Sequence, residues 1–134
     1  MDELLTHQVP QALEAEQSVL GAMLIDSRCV PDVMGMLTAE DFYLEQNREI
    51  FEAIFAMFSF SQPIDPVTVM DKLKERGCFH DNTQAYLLQL MEITPTAAHV
   101  RDYARIVSEK TILRKLDQAA SDITQTVSAG EGTA

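Results

Sequence analysis

The chain has 134 residues, enough for one compact domain with a buried core, and a formal net charge of −11 from 21 acidic and 10 basic side chains. That balance disfavours strong nonspecific nucleic-acid binding, which calls for a basic face against phosphate. Two cysteines with no CxxC pairing and no apolar run near the roughly 20 residues that span a bilayer argue against a disulfide framework, a zinc site and a membrane role, so the sequence reads as a reduced, cytoplasmic protein.

The excess acid is uneven. Residues 1–100 carry sixteen acidic and five basic side chains, whereas 101–134 carry five of each. An acidic first part favours a protein partner with a basic surface.

In chain order, 1–9 reads as a flexible tail. A helix is expected over 12–25, where Leu13, Leu20, Met23 and Leu24, with Ala12, Ala15 and Val19, form a broad apolar stripe. Glu14 and Glu16 lie near its start, where the helix dipole favours carboxylates. Residues two apart point to different sides of a helix, and no histidine or nucleophile accompanies these two, so acid–base chemistry is not indicated. After a turn at Asp26-Ser27-Arg28, a short helix is expected over 30–37 with Pro31 in its first turn. Thr38 to Asp41 resembles a capping box with Asp41 in place of the usual Glu. Phe42 and Tyr43 follow as expected core aromatics.

The spacing of Phe51, Ile54, Phe55 and Phe58, with Ile50 and Met57 widening the stripe, predicts a helix over 46–58 with an aromatic stripe facing the core. No basic residue interleaves with these rings after Arg48, which disfavours base stacking. Asp65-Pro66 is a strong helix start, and Gly77 marks the stop of a helix over 66–76. Asp81-Asn82-Thr83 should cap another over 84–92, where Leu87, Leu88, Leu90 and Met91 are apolar nearly all round and predict the most buried segment. His7, His80 and His99 lack neighbours at metal-ligand spacing, and no phosphate loop, HExxH or GxSxG motif occurs. No catalytic and no metal-binding residues are expected.

The longest element is expected over 95–128, about 51 Å of helix. Thr94-Pro95-Thr96 offers its start, and Gly130 with Gly132 its end. From residue 106 the positions Ile106, Glu109, Leu113, Leu116, Ala120, Ile123 and Val127 follow a 3-4 spacing, and six of the seven are apolar. Such a seam suits pairing with another helix; it also suits an ordinary amphipathic helix lying on its own domain. Arg101, Arg105, Lys110, Arg114 and Lys115 fall partly on one side, but Asp102, Glu109 and Asp117 lie among them, which reads as a solvated ion-pair face. With no period-two segment, the fold class is all-α: a compact head of five or six short helices over 10–93, one long helix over 94–128, and a turn over 129–134.

Together these segments resemble the N-terminal domain of bacterial replicative DNA helicases of the DnaB type. The resemblance runs from Pro10 to Leu116. Its first part is Glu14-Ala15-Glu16-Gln17, Leu20-Gly21, Asp41-Phe42-Tyr43, Ile50-Phe51, Ala53-Ile54, Pro63-Ile64-Asp65 with Thr68, and Leu73 with Arg76-Gly77. It continues through Ala85-Tyr86-Leu87, Pro95-Thr96-Ala97-Ala98, Tyr103-Ala104, Ile106-Val107, Glu109-Lys110, Arg114 and Leu116. Asn82-Thr83-Gln84 stands where family members often have a Gly-Gly pair.

The resemblance implies that the long helix is the first arm of a helical hairpin that looks cut at its tip. It also implies that two copies pair through their hairpins, and that three pairs form a collar on a hexameric ring. Primase would dock there through its helicase-binding domain, and a helicase loader is a further expected partner. No cofactor is expected in these residues, because ATP and magnesium belong to a separate RecA-like C-terminal domain that performs the unwinding. The self-association seam would be Ile106, Leu113, Leu116, Ala120, Ile123 and Val127. Candidate partner-binding positions are Tyr86, Arg101, Arg105 and Arg114. The competing reading is a free-standing regulatory or DNA-contacting helical module without a motor domain.

Overall fold

A computed structural model of the chain describes the backbone of residues 8–133 and the side chains of residues 8–130. Most of the expected tail therefore lies outside the described residues. Among the described residues there is no strand. The helices are α1 (Leu13–Ile25), α2 (Val30–Met34), α3 (Glu45–Ser59), α4 (Pro66–Glu75), α5 (Thr83–Glu92) and α6 (Val100–Thr133), with single 3-10 turns at Ser27–Cys29 and Ala39–Asp41. The all-α class expected from the sequence is the one observed.

Helix α1 is the centre of the head, packing most extensively against α6 and α5 and also against α3. Eight of its residues are buried, from Ala15 and Glu16 through Val19 to Leu24. The sequence instead predicted α5 as the most buried segment. In α5 only Thr83, Leu87 and Leu90 are buried and Leu88 is exposed, because α5 sits at the outside of the head and turns one face inward.

The close approach of α1 to the end of α5 explains Gly21. A Cβ there would come closer than 3.0 Å to the Leu90 carbonyl oxygen and to the Thr94 side chain. Thr94, also buried, donates its hydroxyl to the Leu90 carbonyl at 2.8 Å. It therefore finishes α5 and does not start the long helix.

Helix α3 turns Ile50, Phe51, Ile54 and Met57 of the expected stripe inward but not Phe55 and Phe58. Its buried face is Asn47, Ile50, Phe51, Ala53, Ile54 and Met57, with the Phe51 ring 4.8 Å from that of buried Phe42. Phe55 and Phe58 are exposed, and so is Tyr43. The face is rotated because a polar residue, Asn47, occupies the core side of the first turn.

The ends of α4 follow expectation. Asp65 Oδ1 accepts from the Thr68 amide and Thr68 Oγ1 accepts from the Asp65 amide, both at 2.9 Å. At the other end Gly77 adopts φ +74°. Its amide donates to the Lys74 carbonyl, and the Cys78 amide donates to the Leu73 carbonyl, a left-handed termination that glycine permits without a Cβ penalty.

The long helix is displaced along the chain relative to the expected 95–128. Residues 94–99 form turns, with the Ala98 amide donating to Thr96 Oγ1, and the helix starts at Val100. At the far end it runs through Gly130 and Gly132 to Thr133, so the expected turn over 129–134 is helical as far as it is described. A glycine in a helix costs about 1 kcal/mol relative to alanine, and the way it commonly ends one is by turning left-handed. Gly130 has no positive φ.

Candidate assembly interface on the long helix

Helix α6 carries two faces that do different things. Val100, Ala104, Val107 and Thr111 are buried and bind the helix to the head, chiefly to α1. At the last of these contacts Arg114 acts as a clasp. Its guanidinium donates to the Pro10 carbonyl at 3.1 Å, to the Asp41 carbonyl at 2.7 Å and to Thr111 Oγ1 at 3.2 Å, and it lies over the Tyr43 ring at 5.6 Å. Beyond Gln118 no described residue of α6 is buried, and residues 119–133 extend about 22 Å from the head.

The seam read from the sequence lies on the opposite face. At roughly 100° per residue, Ile106, Leu113, Leu116, Ala120, Ile123 and Val127 centre about 180° from the head-binding stripe. The large side chains among them range from 40% exposed at Ile106 to 64% at Ile123, and Ala120 is also exposed. This seam is therefore not buried on the chain's own head. Ile112 flanks it and is equally exposed, an addition that strict 3-4 counting passed over.

Each candidate partner-binding side chain is engaged within the domain. Arg101 donates to Asp32 at 3.0 Å and Arg105 to Asp102 at 3.1 Å, both at the surface. Arg114 is the clasp just described. Tyr86 is half-buried; its hydroxyl accepts from Gln17 Nε2 at 3.3 Å and donates to Asn47 Oδ1, and burial pushes its pKa up.

The Tyr86 bonds belong to a network that sequence reading missed. Leu44 precedes α3 and offers no capping side chain. The acceptor comes from α1: the Tyr43 amide donates to Glu16 Oε2 at 2.7 Å, the Leu44 amide to Oε1 at 3.4 Å, and Asn47 Nδ2 to Oε1 at 3.0 Å. Buried Glu16 thus caps α3 from 28 residues away in sequence, where the positive end of the helix dipole favours a carboxylate. The missing local cap at Leu44 was the available signal.

A family model described as DnaB-like helicase N terminal domain matches residues 8–109. The chain belongs to this family. Among curated relatives, it is 40% identical over 124 residues to the replicative DNA helicase DnaB of Leifsonia xyli and 39% identical over 127 residues to that of Geobacillus stearothermophilus. These alignments cover 92% and 93% of this chain but 27% and 28% of the relatives, so the chain spans about a quarter of their length.

Among solved structures, the N-terminal domain of DnaB helicase from Mycobacterium tuberculosis superposes with a TM-score of 0.88 at 39% identity, covering 95% of this chain and 91% of that one. The corresponding Helicobacter pylori domain, whose structure is presented with its interactions with primase, has a TM-score of 0.73 at 21% identity over 84% of this chain and 89% of that one. At that identity it supports the shared fold. What the family shares with these residues is the N-terminal domain, and the ATPase domain is not among them.

Proposed function

We propose that this domain is the non-catalytic assembly and docking module of a hexameric, ATP-dependent replicative DNA helicase working in the cytoplasm. Two copies pair through the outer face of α6, and the pairs build a collar on which primase docks. ATP and magnesium serve the motor portion of such a helicase and have no role in these residues. The observation that carries the reading is the exposed apolar seam of α6, held away from the head by the buried stripe on the other side. A helix needs tertiary contacts for most of its stability, so a projecting arm with a continuous apolar stripe favours a second helical surface.

Primase docking is supported by the family and by the charge of residues 1–100, which favours a basic partner surface. The Helicobacter pylori relative is one for which interactions with primase are presented. Of the four candidate positions, Arg101 and Arg105 are exposed and within direct reach of a partner, whereas Tyr86 and Arg114 act through the shape they hold. Direct DNA contact is disfavoured, because Arg101 and Arg105 are already ion-paired with Asp32 and Asp102.

A pull-down of this chain with the C-terminal domain of the cognate primase tests the docking. Retention that is lost in a paired Arg101→Glu, Arg105→Glu variant of unchanged helicity supports it. No retention by the unmodified chain overturns it.

A further inference from the structure

The Arg114 clasp and the Glu16 cap grip one short stretch of backbone, Asp41 to Leu44, between the 3-10 turn at Ala39–Asp41 and α3. From the α1 side, Glu16 accepts the amides of Tyr43 and Leu44. From the α6 side, Thr111 Oγ1 and Arg114 Nη2 both donate to the Asp41 carbonyl, at 3.3 Å and 2.7 Å, and the guanidinium covers the Tyr43 ring. We propose that this stretch is a conformational coupling through which Tyr86 on α5 sets how firmly the root of α6 is anchored, acting by way of Asn47, Glu16 and the 41–44 backbone. The coupling is a property of the single chain and holds whether or not copies pair.

The first half of the route has a fixed polarity. Gln17 Nε2 donates to the Tyr86 hydroxyl oxygen at 3.3 Å, which leaves the hydroxyl hydrogen for Asn47 Oδ1. Asn47 therefore keeps its oxygen toward Tyr86 and its Nδ2 toward Glu16 Oε1, at 3.0 Å. A flipped amide would set Oδ1 against a carboxylate oxygen, two acceptors with no hydrogen between them. Asn47 is fully buried, so an amide that loses the hydroxyl must tilt in search of another donor. Bonds in such a chain polarise one another, and losing the first weakens the next.

The second half is mechanical. The Tyr43 amide and the Asp41 carbonyl lie on the two planar peptide units either side of Phe42, whose ring is locked in the core against Phe51. Arg48 of α3 holds the same units, donating to the Phe42 and Tyr43 carbonyls at 3.3 Å and 3.4 Å. A shift of the Tyr43 amide away from Glu16 thus carries the Asp41 carbonyl and the Tyr43 ring away from Arg114. Arg114 stands where the head gives way to the projecting arm, since no described residue of α6 beyond Gln118 is buried.

Amide hydrogen exchange on the full 134-residue chain, read residue by residue by NMR, tests the coupling. In Tyr86→Phe the amides of 43–44 and of 111–118 should exchange at least about fivefold faster, the factor that one ordinary hydrogen bond carries. Those of α4, which lies off the route, should stay within about twofold. Coupling is reciprocal, so Arg114→Ala should also speed exchange at 43–44 and at Tyr86. Asn82→Ala is the control: it breaks the Gln46–Asn82 amide pair, which joins α5 to α3 outside the route, and should leave 111–118 within about twofold.

Faster exchange confined to α5 and α3 in Tyr86→Phe overturns the proposal, because the hydroxyl is then a local contact. Equal acceleration throughout, α4 included, overturns it by making the hydroxyl a general stabiliser. Acceleration of 111–118 by Asn82→Ala to the same degree does so as well. If Tyr86→Phe does not fold, Gln17→Ala removes only the donor that polarises the chain; it should give the same pattern at a smaller factor, and no change at 111–118 overturns the coupling.

Discussion

Replacing Glu16 by alanine should be among the most damaging single changes in the head, although no ionic partner is lost. The side chain is 1% exposed and accepts from two backbone amides and from Asn47. The alanine variant leaves these donors facing a void too apolar to replace the carboxylate. An unsatisfied buried donor costs about 1–3 kcal/mol. The 3.4 Å contact from Leu44 is weak and the edge near exposed Tyr43 admits some water, so two full donors are the better count, about 3–4 kcal/mol in all. That is a large part of the roughly 5–15 kcal/mol available to a domain. Glu16→Gln keeps one acceptor oxygen but turns an amide donor toward donors, and should lose roughly half as much. Urea unfolding followed by circular dichroism reads both variants, with the denaturant slope as a check that the unfolded state has not changed. A loss below about 1 kcal/mol for Glu16→Ala would refute the remote-cap reading.

Other expectations concern packing, pairing and ionisation. Gly21→Ala should destabilise by about 3 kcal/mol or more, measured by the same urea titration, because the new methyl meets the Leu90 carbonyl oxygen and helices α1 and α5 must part; an unchanged midpoint would mean the two helices separate freely. Ile123→Asp should leave the thermal midpoint within about 2 °C while weakening association. Burying the exposed part of that side chain is worth about 1.5 kcal/mol per copy, and the symmetric pair loses it twice, so sedimentation equilibrium should read a dimer dissociation constant roughly 100-fold higher. Burial pushes the Cys29 thiol up to about 11, so its neutral form is favoured by folding. The corresponding stability is present below the ordinary thiol value of 9.0 and is lost as pH rises toward about 11. At pH 8 iodoacetamide should therefore modify Cys78 and reach Cys29 only in urea, as peptide mass spectrometry would record.

The sequence was most legible where structure is set by neighbours along the chain. The Thr38 to Asp41 capping box, the Asp65 cap, the stop at Gly77 and the order of six helices all depend on residues within a few positions of one another. Legibility failed where a distant element intervened. The start of α3 depends on Glu16 from α1, so a stripe centred on the aromatics came out partly rotated and placed Phe55 and Phe58 in the core. Thr94 looked like a cap for the long helix because its hydroxyl precedes a proline; its actual acceptor, the Leu90 carbonyl, lies in the preceding helix. Gly130 looked like a stop, but its backbone does not make the left-handed turn with which glycine commonly ends a helix. The apolar 3-4 stripe of α6 was visible, since such a spacing is a property of one helix, whereas its exposure, and that of Ile112 beside it, depended on which face of α6 the head occupies.

Self-association of the unmodified chain is the most direct test of the account. Sedimentation velocity over a hundredfold concentration range, with helicity recorded on the same samples, should give a sedimentation coefficient that rises from that of a monomer to that of a dimer. A strict monomer at every concentration, with α6 fully helical, would contradict it.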